Sequence, residues 1–581
     1  MKRLNFKKII SSLFIGSSIL VPSILSSCSN VKIDAEIAKH DENGWKNTVE
    51  ELSNTKIPTI FFNVSASFQI YQNTLMVLSA DSLAKQKGHT YQDEEYKFAD
   101  RISIITSDLY KYKTKTSPSL YAYNYGEYVS DNDILTDGID KANNMLISNY
   151  EDFDLSLPDY VDKSNELSLG NFNKVIDTYN HIFEMYDEAS GKRMNFNFFF
   201  NDYTPYTVDD EIFSKFMGLV LPRANKIYMC SDGRNSWSYV KDKYINQWKE
   251  NGYTSASKQK EIWDSLHNAS SIDEAAKIFS KNKIALQNNE NYFQWFAADS
   301  NFYKSELNSL PDKKLTPDTW TKYSRSLLDW TEYKTLFNMT SDVYNDFSNK
   351  VKKFFNWYEG EKFENFVNYG TYDLNKKNLI IPLPKFVNTA NEIRDNNIMS
   401  IFNEIVKSYP IEQYNYIWKA HPRSTQEEIE SGIKRIFNNQ LPPNTIILKN
   451  TYPLEFLTFL DWDLVKNNVE TKYHMIDPNS FAKDENEVSG LFAGFSFDTS
   501  CVMSTMNALA NYKLPNGDHL GWNNALKLLS NKSMFLPTRF QYSGGVTGDD
   551  MYQNNLDFLK YEYEQFCSIG EFHKMDYFKK I

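Results

Sequence analysis

Residues 414–425 read Tyr414-Asn-Tyr-Ile-Trp-Lys-Ala-His-Pro-Arg-Ser-Thr425, and this stretch decides how the chain is expected to fold. The aromatic and β-branched run over 414–418 predicts a buried strand. Pro422 lacks a backbone N–H and holds His421 in an extended conformation, so the strand has to end there. Apolar residues at helical spacing predict a helix over 426–437. His421 is therefore expected at the carboxyl edge of a sheet, where open α/β sheets bind ligands. A solvated loop histidine is the alternative.

The same alternation of strand and helix recurs along the chain. Strands are predicted at 58–64, 102–106, 196–200, 226–230, 365–369, 442–448 and 491–497. Helices are predicted at 68–84, 171–185, 212–219, 391–408, 453–459 and 501–512. Such alternation predicts an α/β fold with parallel, doubly wound sheets. Residues 242–354 carry few strand signals and predict a helical insertion that closes one side of a cleft.

Three successive βα units each present polar groups at one predicted sheet edge. These groups are Lys419 and His421 in the first unit, Glu455 in the second, and Thr499 with Ser500 in the third. Hydroxyls beside the free N–H groups of a helix N-terminus suit an anion, although ordinary N-capping uses the same residues. A lysine, a histidine and two hydroxyls suit a phosphate, and a glutamate suits sugar hydroxyls. The layout predicts a nucleotide-sugar pocket.

Two further turns follow predicted strands. Asp232 lies in Ser231-Asp232-Gly233, directly after the strand at 226–230. A carboxylate at a sheet edge can act as a general base when partial burial raises its pKa, but Asp-Gly is also a common turn. Gly370 and Thr371 follow the strand at 365–369, and the glycine permits close approach of backbone to a ligand.

Charge and cysteine content exclude several classes of protein. The net charge of −12 argues against a nucleic-acid-binding surface, since phosphate neutralisation needs a basic patch. The cysteines after Cys28 have no metal-binding or redox spacing, and no bound metal or cofactor is expected. The length of 581 residues predicts two or three domains.

The N-terminus carries a targeting signal. Residues 1–27 combine a basic start with an apolar stretch and end before Cys28, as in a bacterial lipoprotein signal peptide. Cleavage would leave Cys28 acylated and the chain lipid-anchored on the outer face of the cell membrane. An uncleaved membrane anchor is the alternative. Residues 28–56 are predicted to be a polar tether.

The motifs, in this order, resemble those of the bacterial multifunctional α2,3/α2,6 sialyltransferases. That family has an acidic-acidic-Gly motif, a His-Pro motif and a Ser-Ser pair, which match 231–233, 419–422 and 499–500 here. The resemblance implies a metal-independent, inverting transfer of sialic acid from a CMP-activated donor to a galactoside-type acceptor. It implies Asp232 as the general base and His421 as the acid that protonates the departing phosphate. The residues implied in substrate binding are Lys419, Pro422, Glu455, Thr499, Ser500, Gly370 and Thr371.

The resemblance also implies a domain plan of the GT-B type, with two Rossmann-like domains facing a central cleft. The acceptor domain would span 57–360, the CMP-sugar donor domain 361–553, and a C-terminal helix at 554–581 would pack back on the first domain. Ser231 and Thr499 depart from the family pattern, which has an acidic residue and a serine there.

Two other functions are compatible with parts of the sequence. A non-catalytic surface lipoprotein could keep the same cleft to bind sialylated glycans or nucleotides, but it would not need both Asp232 and His421. A solute-binding lipoprotein of a transporter would explain two lobes and an anchor, but not the His-Pro and Thr-Ser positions.

Overall fold

A computed structural model describes part of the chain. The residues that it describes are 35–64, 67–89, 93–107, 119–124, 169–201, 210–230, 256–287, 293–297, 324–325, 329–354, 367–370, 372–373, 375–382, 402, 406, 409–420, 424, 426–449, 452–467, 469, 475, 491–494 and 534–535. The statements below concern these residues.

Seven strands form the first sheet. They are β1 (Thr59–Val64), β2 (Arg101–Ser107), β3 (Ser119–Asn124), β4 (Phe196–Asn201), β5 (Ala224–Cys230), β6 (Phe293–Ala297) and β7 (Ser324–Arg325). Their order is β3-β2-β1-β4-β5-β6-β7. All neighbours pair in parallel except β2 and β3, which are antiparallel. Taken in chain order, the six parallel strands lie as 2-1-3-4-5-6, which extends by one strand the 2-1-3-4-5 order of one common doubly wound fold.

Eight helices accompany this sheet. They are α1 (Ala35–Asn54), α2 (Ser67–Gln86), α3 (Leu169–Ser190), α4 (Asp210–Val220), α5 (Ala256–His267), α6 (Ile272–Gln287), α7 (Tyr333–Leu336) and α8 (Ser341–Phe354). Short 3-10 turns at Leu221–Arg223 and Trp330–Glu332 precede β5 and α7. Together with the seven strands, these elements form what we call the first-sheet unit, residues 35–354.

Six strands form the second sheet. They are β8 (Val367–Tyr369), β9 (Lys377–Pro382), β10 (Tyr414–Lys419), β11 (Thr445–Leu448), β12 (Leu491–Gly494) and β13 (Met534–Phe535). Their order is β13-β12-β9-β10-β11-β8. Only β8, at one edge, is antiparallel to its neighbour among these described strands. With α9 (Gln426–Ile436) and α10 (Leu454–Lys466), they form the second-sheet unit, residues 367–535.

The prediction of an α/β fold with parallel sheets is confirmed. Taken in chain order, the five parallel strands of the second sheet lie as 3-2-1-4-5, the order of the dinucleotide-binding fold. Both strand orders are compatible with Rossmann-like folds. The predicted strands at 58–64, 102–106, 196–200, 226–230 and 442–448 correspond to β1, β2, β4, β5 and β11. The predicted signal peptide, most of the helix at 391–408, the helix at 501–512 and the helix at 554–581 lie outside the described residues.

The prediction of a polar tether over 28–56 is wrong for 35–54, which form helix α1. Its apolar residues Trp45, Val49 and Leu52 are fully buried, because their spacing of four and three places them on one helix face. Glu51 accepts hydrogen bonds from the Lys226 Nζ and the Tyr228 hydroxyl of β5, at 2.9–3.0 Å. Helix α1 is therefore an integral part of the first-sheet unit.

The prediction of a helical insertion over 242–354 also needs correction. Strand β6 pairs in parallel with β5, and β7 continues the sheet beyond β6. Helices α5 and α6 lie between β5 and β6 in the chain, so this region continues the alternation of strand and helix. The run Phe293-Gln-Trp-Phe-Ala297 carried the strand signal, but the surrounding aromatic and polar residues masked it.

Helix α2 lies at the centre of the first-sheet unit. Its residues from Tyr71 to Ala84 are all buried, and it packs against α1, α8, β1 and β2. A helix that is buried on every side needs internal partners for its polar side chains. Asp81 has three such partners, with Lys85, Arg101 and Lys350 nitrogens at 3.2, 3.7 and 3.9 Å.

Helices α4 and α6 cross at Gly218. A Cβ at position 218 would lie 2.6 Å from both the Ala276 nitrogen and the Ile272 carbonyl oxygen. Both neighbours are backbone atoms, so a side chain can fit only if the two helices move apart. The close approach of the helices therefore depends on the missing side chain.

We expect Gly218→Ala to destabilise the protein by about 1–3 kcal/mol, the usual cost of overpacking a well-filled contact. Urea unfolding followed by circular dichroism measures this change. Lys215→Ala on the same helix, at a half-exposed position, is the control and should change stability by less than about 0.5 kcal/mol. Equal effects of the two substitutions would contradict the close crossing.

Asp187 links the end of α3 to the segments before β4 and β5. Its two carboxylate oxygens each lie 2.7 Å from an Arg223 guanidinium nitrogen, and one accepts the Met194 N–H at 2.7 Å. Partial burial alone would raise the pKa of Asp187, but the hydrogen bonds from Arg223 and Met194 outweigh it. The pKa of Asp187 is therefore lowered from its usual 3.8.

A carboxylate whose pKa is lower in the folded protein than in the unfolded chain stabilises the protein at a pH above the unfolded-state pKa. This stabilisation is lost as the pH falls through the folded-state pKa. We expect Asp187→Asn to destabilise the protein at pH 7 by about 1 kcal/mol, as for a well-formed ion pair at the surface. The difference between the two proteins should shrink as the pH falls below about 4. Urea unfolding of both proteins from pH 7 to pH 3 tests this expectation, and a difference that stays constant with pH would refute it.

Candidate functional site

Four parallel strands bring their carboxyl ends to one edge of the second sheet. These strands lie in the order β12-β9-β10-β11, so β10 and β12 flank β9 and are about 10 Å apart. Along the chain, the parallel strands β10 and β11 are added on one side of β9, and β12 and β13 are then added on its other side. The strand order therefore reverses between β9 and β12. Ligands of open α/β sheets bind at such a switch point, outside the carboxyl ends of the strands.

Lys419 is the last residue of β10 and lies at this edge. Only 6% of its surface is exposed, and its Nζ donates a hydrogen bond to the Ala420 carbonyl oxygen at 3.0 Å. The strand before it is held firmly, because the buried Trp418 ring packs against Phe402 and Tyr416 at 5.6 and 5.9 Å. The structure thus brings a buried ammonium group to the sheet edge, two residues before His421.

Glu455 lies in the first turn of α10, the helix that follows β11. It is only 3% exposed. The neighbouring Phe456 stacks with Tyr452 at 6.3 Å and contacts the Tyr71 ring of α2 edge-on at 6.3 Å. Glu455 is therefore buried where the first-sheet and second-sheet units meet.

The surroundings of Tyr71 place more polar groups at this contact. Burial raises the pKa of the Tyr71 phenol well above its usual value, and the charges of Tyr333, Asp329 and Glu455 act in the same direction. Asp329 itself accepts hydrogen bonds from the Thr331 N–H and hydroxyl at 3.1 and 2.5 Å. The phenol therefore stays protonated, and two carboxylates lie near it.

Gly370 lies at the other end of the strands, where the parallel strand β11 begins. Because β8 runs antiparallel to β11, the end of β8 faces Thr445 at the start of β11. The φ of Gly370 is +108°, and a Cβ there would lie 1.7 Å from the Thr445 carbonyl oxygen. The structure therefore does not bring Gly370 together with Lys419. Close packing on Thr445 explains why a glycine occupies this position.

Hydrogen bonds hold the segment after Gly370 at the same end of the sheet, where the parallel strands begin. Asn415 accepts a hydrogen bond from the Asp373 N–H at 3.0 Å and donates to the Asp373 carbonyl oxygen at 2.8 Å. Asn415 also donates to the Asn378 side-chain oxygen at 3.1 Å, linking β10 to β9. These bonds support a structural role for this segment.

The remaining predicted site residues lie outside the described residues. They are Cys28, Asp232, Thr371, His421, Pro422, Thr499 and Ser500. The structure nevertheless places the strands that precede several of them. Strand β5 ends at Cys230, two residues before Asp232, and β12 ends at Gly494, five residues before Thr499.

Sequence reasoning missed β9, the strand at the centre of this edge. Its core Leu379-Ile-Ile381 is buried, and Pro382 ends it. An apolar run closed by a proline is a strand signal, but it is short here and follows a lysine- and asparagine-rich segment. Strand β9 ends at Pro382, between the neighbouring strands β10 and β12.

The described residues include no group of three or more His, Cys, Asp or Glu side chains that could hold a metal ion. In the part of the chain that the structure describes, no helix is both long and apolar enough to cross a membrane.

We expect Gly370→Ala to destabilise the protein by about 3 kcal/mol or more, because backbone strain and a clash with the Thr445 carbonyl add together. Gly88→Ala is a matched control: Gly88 also has a positive φ, of +76°, but nothing lies within 4 Å of its Cβ position. That variant should lose only about 1 kcal/mol. Thermal unfolding of both variants measures the two losses of stability. Equal losses would show that Thr445 does not restrict position 370.

Comparison with protein-family models and with curated proteins found no match to the chain. An interpretation of its function therefore depends on its own residues and their positions.

Proposed function

We propose that the protein is a glycosyltransferase that moves a sialic acid from a CMP-activated donor to a galactoside-type acceptor. In this proposal the two units form a GT-B arrangement, with the acceptor bound by the first-sheet unit and the donor by the second-sheet unit. In this proposal the acceptor domain spans 57–360 and contains the first sheet, and the donor domain spans 361–553 and contains the second sheet. The transfer proceeds with inversion, and Asp232 and His421 supply the proton transfers.

One observation carries the proposal: strands β10, β11 and β12, which precede most of the predicted nucleotide-binding groups, bring their carboxyl ends to a single sheet edge, whereas β8, which precedes Gly370, does not. Lys419 ends β10, Glu455 lies in the helix that follows β11, and Thr499 and Ser500 follow β12. Helix α9 begins at Gln426, five residues after His421. A lysine and helix N-termini at one edge favour an anion such as a nucleotide phosphate.

The chemistry follows from the groups at this edge and at the end of β5. Asp232 accepts the proton of the acceptor hydroxyl as its oxygen attacks the anomeric carbon of the sialic acid. The bond from that carbon to the CMP phosphate breaks, and His421 gives a proton to the departing phosphate oxygen. Lys419, Thr499 and Ser500 stabilise the charge that develops on the phosphate. Glu455 accepts hydrogen bonds from the ribose hydroxyls, and Pro422 forms the pocket wall.

The partners of this activity are a CMP-sugar donor and a glycan acceptor. The signal-like segment at 1–27 supports a lipid anchor at Cys28 and a position on the outer face of the cell membrane. The donor would then reach the protein from outside the cell. A surface protein that uses the same cleft only to bind nucleotides or sialylated glycans is the alternative outcome of the experiment below.

The experiment follows CMP release from CMP-sialic acid by the purified full-length chain in detergent, with and without lactose. We expect release that lactose increases. His421→Ala and Asp232→Asn should lower kcat by about 10²–10⁴-fold, the usual contribution of a positioned acid or base. Glu455→Gln should raise KM for the donor by about 10–100-fold, because it weakens hydrogen bonds to a charged group.

Glu412→Gln is the control for Glu455→Gln. Both glutamates belong to the second-sheet unit, but Glu412 is exposed and precedes β10, at the amino end of that strand. Its substitution should change neither kcat nor KM. CMP binding without any release would show a binding protein instead of a transferase, and neither binding nor release would overturn the proposed function.

A further inference from the structure

Helix α10 contacts the first-sheet unit at the 3-10 turn Trp330–Glu332 and through two side-chain contacts. Near its start, Phe456 packs against the Tyr71 ring of α2. Two turns further along, the Asp463 carboxylate pairs with the Lys352 Nζ of α8 at 2.6 Å. Glu455 precedes the first contact by one residue, and Asp463 lies eight residues, or about 12 Å, along the helix.

Two contacts at this spacing restrict both the position and the tilt of a helix. The ion pair at Asp463 adds to the contacts of Phe456 and of the 3-10 turn, because it holds the far end of the helix against α8. The direction of the Glu455 side chain relative to the sheet edge then depends on a residue of the other unit.

The surroundings of the ion pair make it sensitive to substitution. The Asp463 side chain is 7% exposed and that of Lys352 is 20% exposed. The Lys352 Nζ also lies 5.6 Å from the centre of the Trp330 ring. Burial raises the pKa of the nearby Tyr344, and the Asp463 charge acts in the same direction. In such a poorly solvated place, removing Lys352 takes the opposite charge away from Asp463, which keeps only a hydrogen bond from a neutral group, the Asn467 Nδ2 at 3.1 Å, among its described side-chain contacts.

We propose that Lys352 is a positioning residue for the nucleotide site: through Asp463 it fixes α10 and thereby the Glu455 carboxylate. This inference rests on the proposed function, in which Glu455 binds the ribose. It assigns to the first-sheet unit a part in binding the donor, although the donor-binding residues themselves belong to the second-sheet unit.

The first test measures CMP binding to the full-length chain by calorimetry. Lys352→Met keeps the apolar stem beside Trp330 and removes the charge. We expect it to weaken CMP binding roughly threefold to tenfold, the range that coupled positions usually show. Asp463→Asn should have the same effect, the double variant should be no worse than either, and Lys352→Arg should restore binding. Lys434→Met, which removes a half-exposed lysine 3.8 Å from Glu430 on α9, is the control and should leave binding unchanged.

A second measurement needs no ligand. Hydrogen exchange at the first-turn amides of α10 should be faster in Lys352→Met and Asp463→Asn, and unchanged in Lys434→Met. Unchanged exchange in α10 would overturn the inference even if CMP binds. Faster exchange with unchanged CMP affinity would also overturn it, since Lys352 would then stabilise the helix without acting on the site. If the wild-type chain does not bind CMP, the proposed function fails, and the exchange data still decide whether Lys352 docks α10.

Discussion

The first-sheet unit depends on a ladder of aromatic rings that crosses three neighbouring strands. Phe61 of β1 stacks on Phe199 of β4, and Phe199 stacks on Tyr228 of β5, each with ring centres 4.2 Å apart. These residues are also direct partners in the strand pairing. A slip of one residue would turn each ring to the other face of the sheet and lose both stacks. The ladder therefore keeps β1, β4 and β5 in register, so that their carboxyl ends lie side by side. Asp232 follows the end of β5 by two residues.

The strand–helix alternation could be predicted from the sequence because its signals are local. The run at 414–418 and the helix at 426–437 became β10 and α9 almost residue for residue. Local signals failed where composition hid them. Helix α1 has a polar composition, and its buried face consists of only a few widely spaced apolar residues, including Trp45 and Val49. The abundance of aromatic residues likewise obscured the ladder, since a ring in a strand and a ring in a loop look alike in the sequence.

The candidate site could be predicted only in part, because strand direction and neighbours are properties of the whole sheet. Lys419 and Glu455 belong to βα units, and their positions follow from the local order of strand and helix. Gly370 also follows a strand, but β8 is antiparallel to β11, so its end points to the other edge. The contact of α10 with α8 joins residues 352 and 463, and nothing near either residue in the sequence indicates the other.

The docking of α1 limits how far the protein can stand from a membrane. With the proposed lipid on Cys28, seven residue steps lead to Ala35, where α1 begins. Fully extended, they reach about 25 Å at most, and α1 cannot unwind from Trp45 onward without exposing the buried Trp45 and Leu52. With this anchor, the folded body would lie close to the lipid headgroups. It would reach short glycans carried on the same membrane more readily than glycans held far above it.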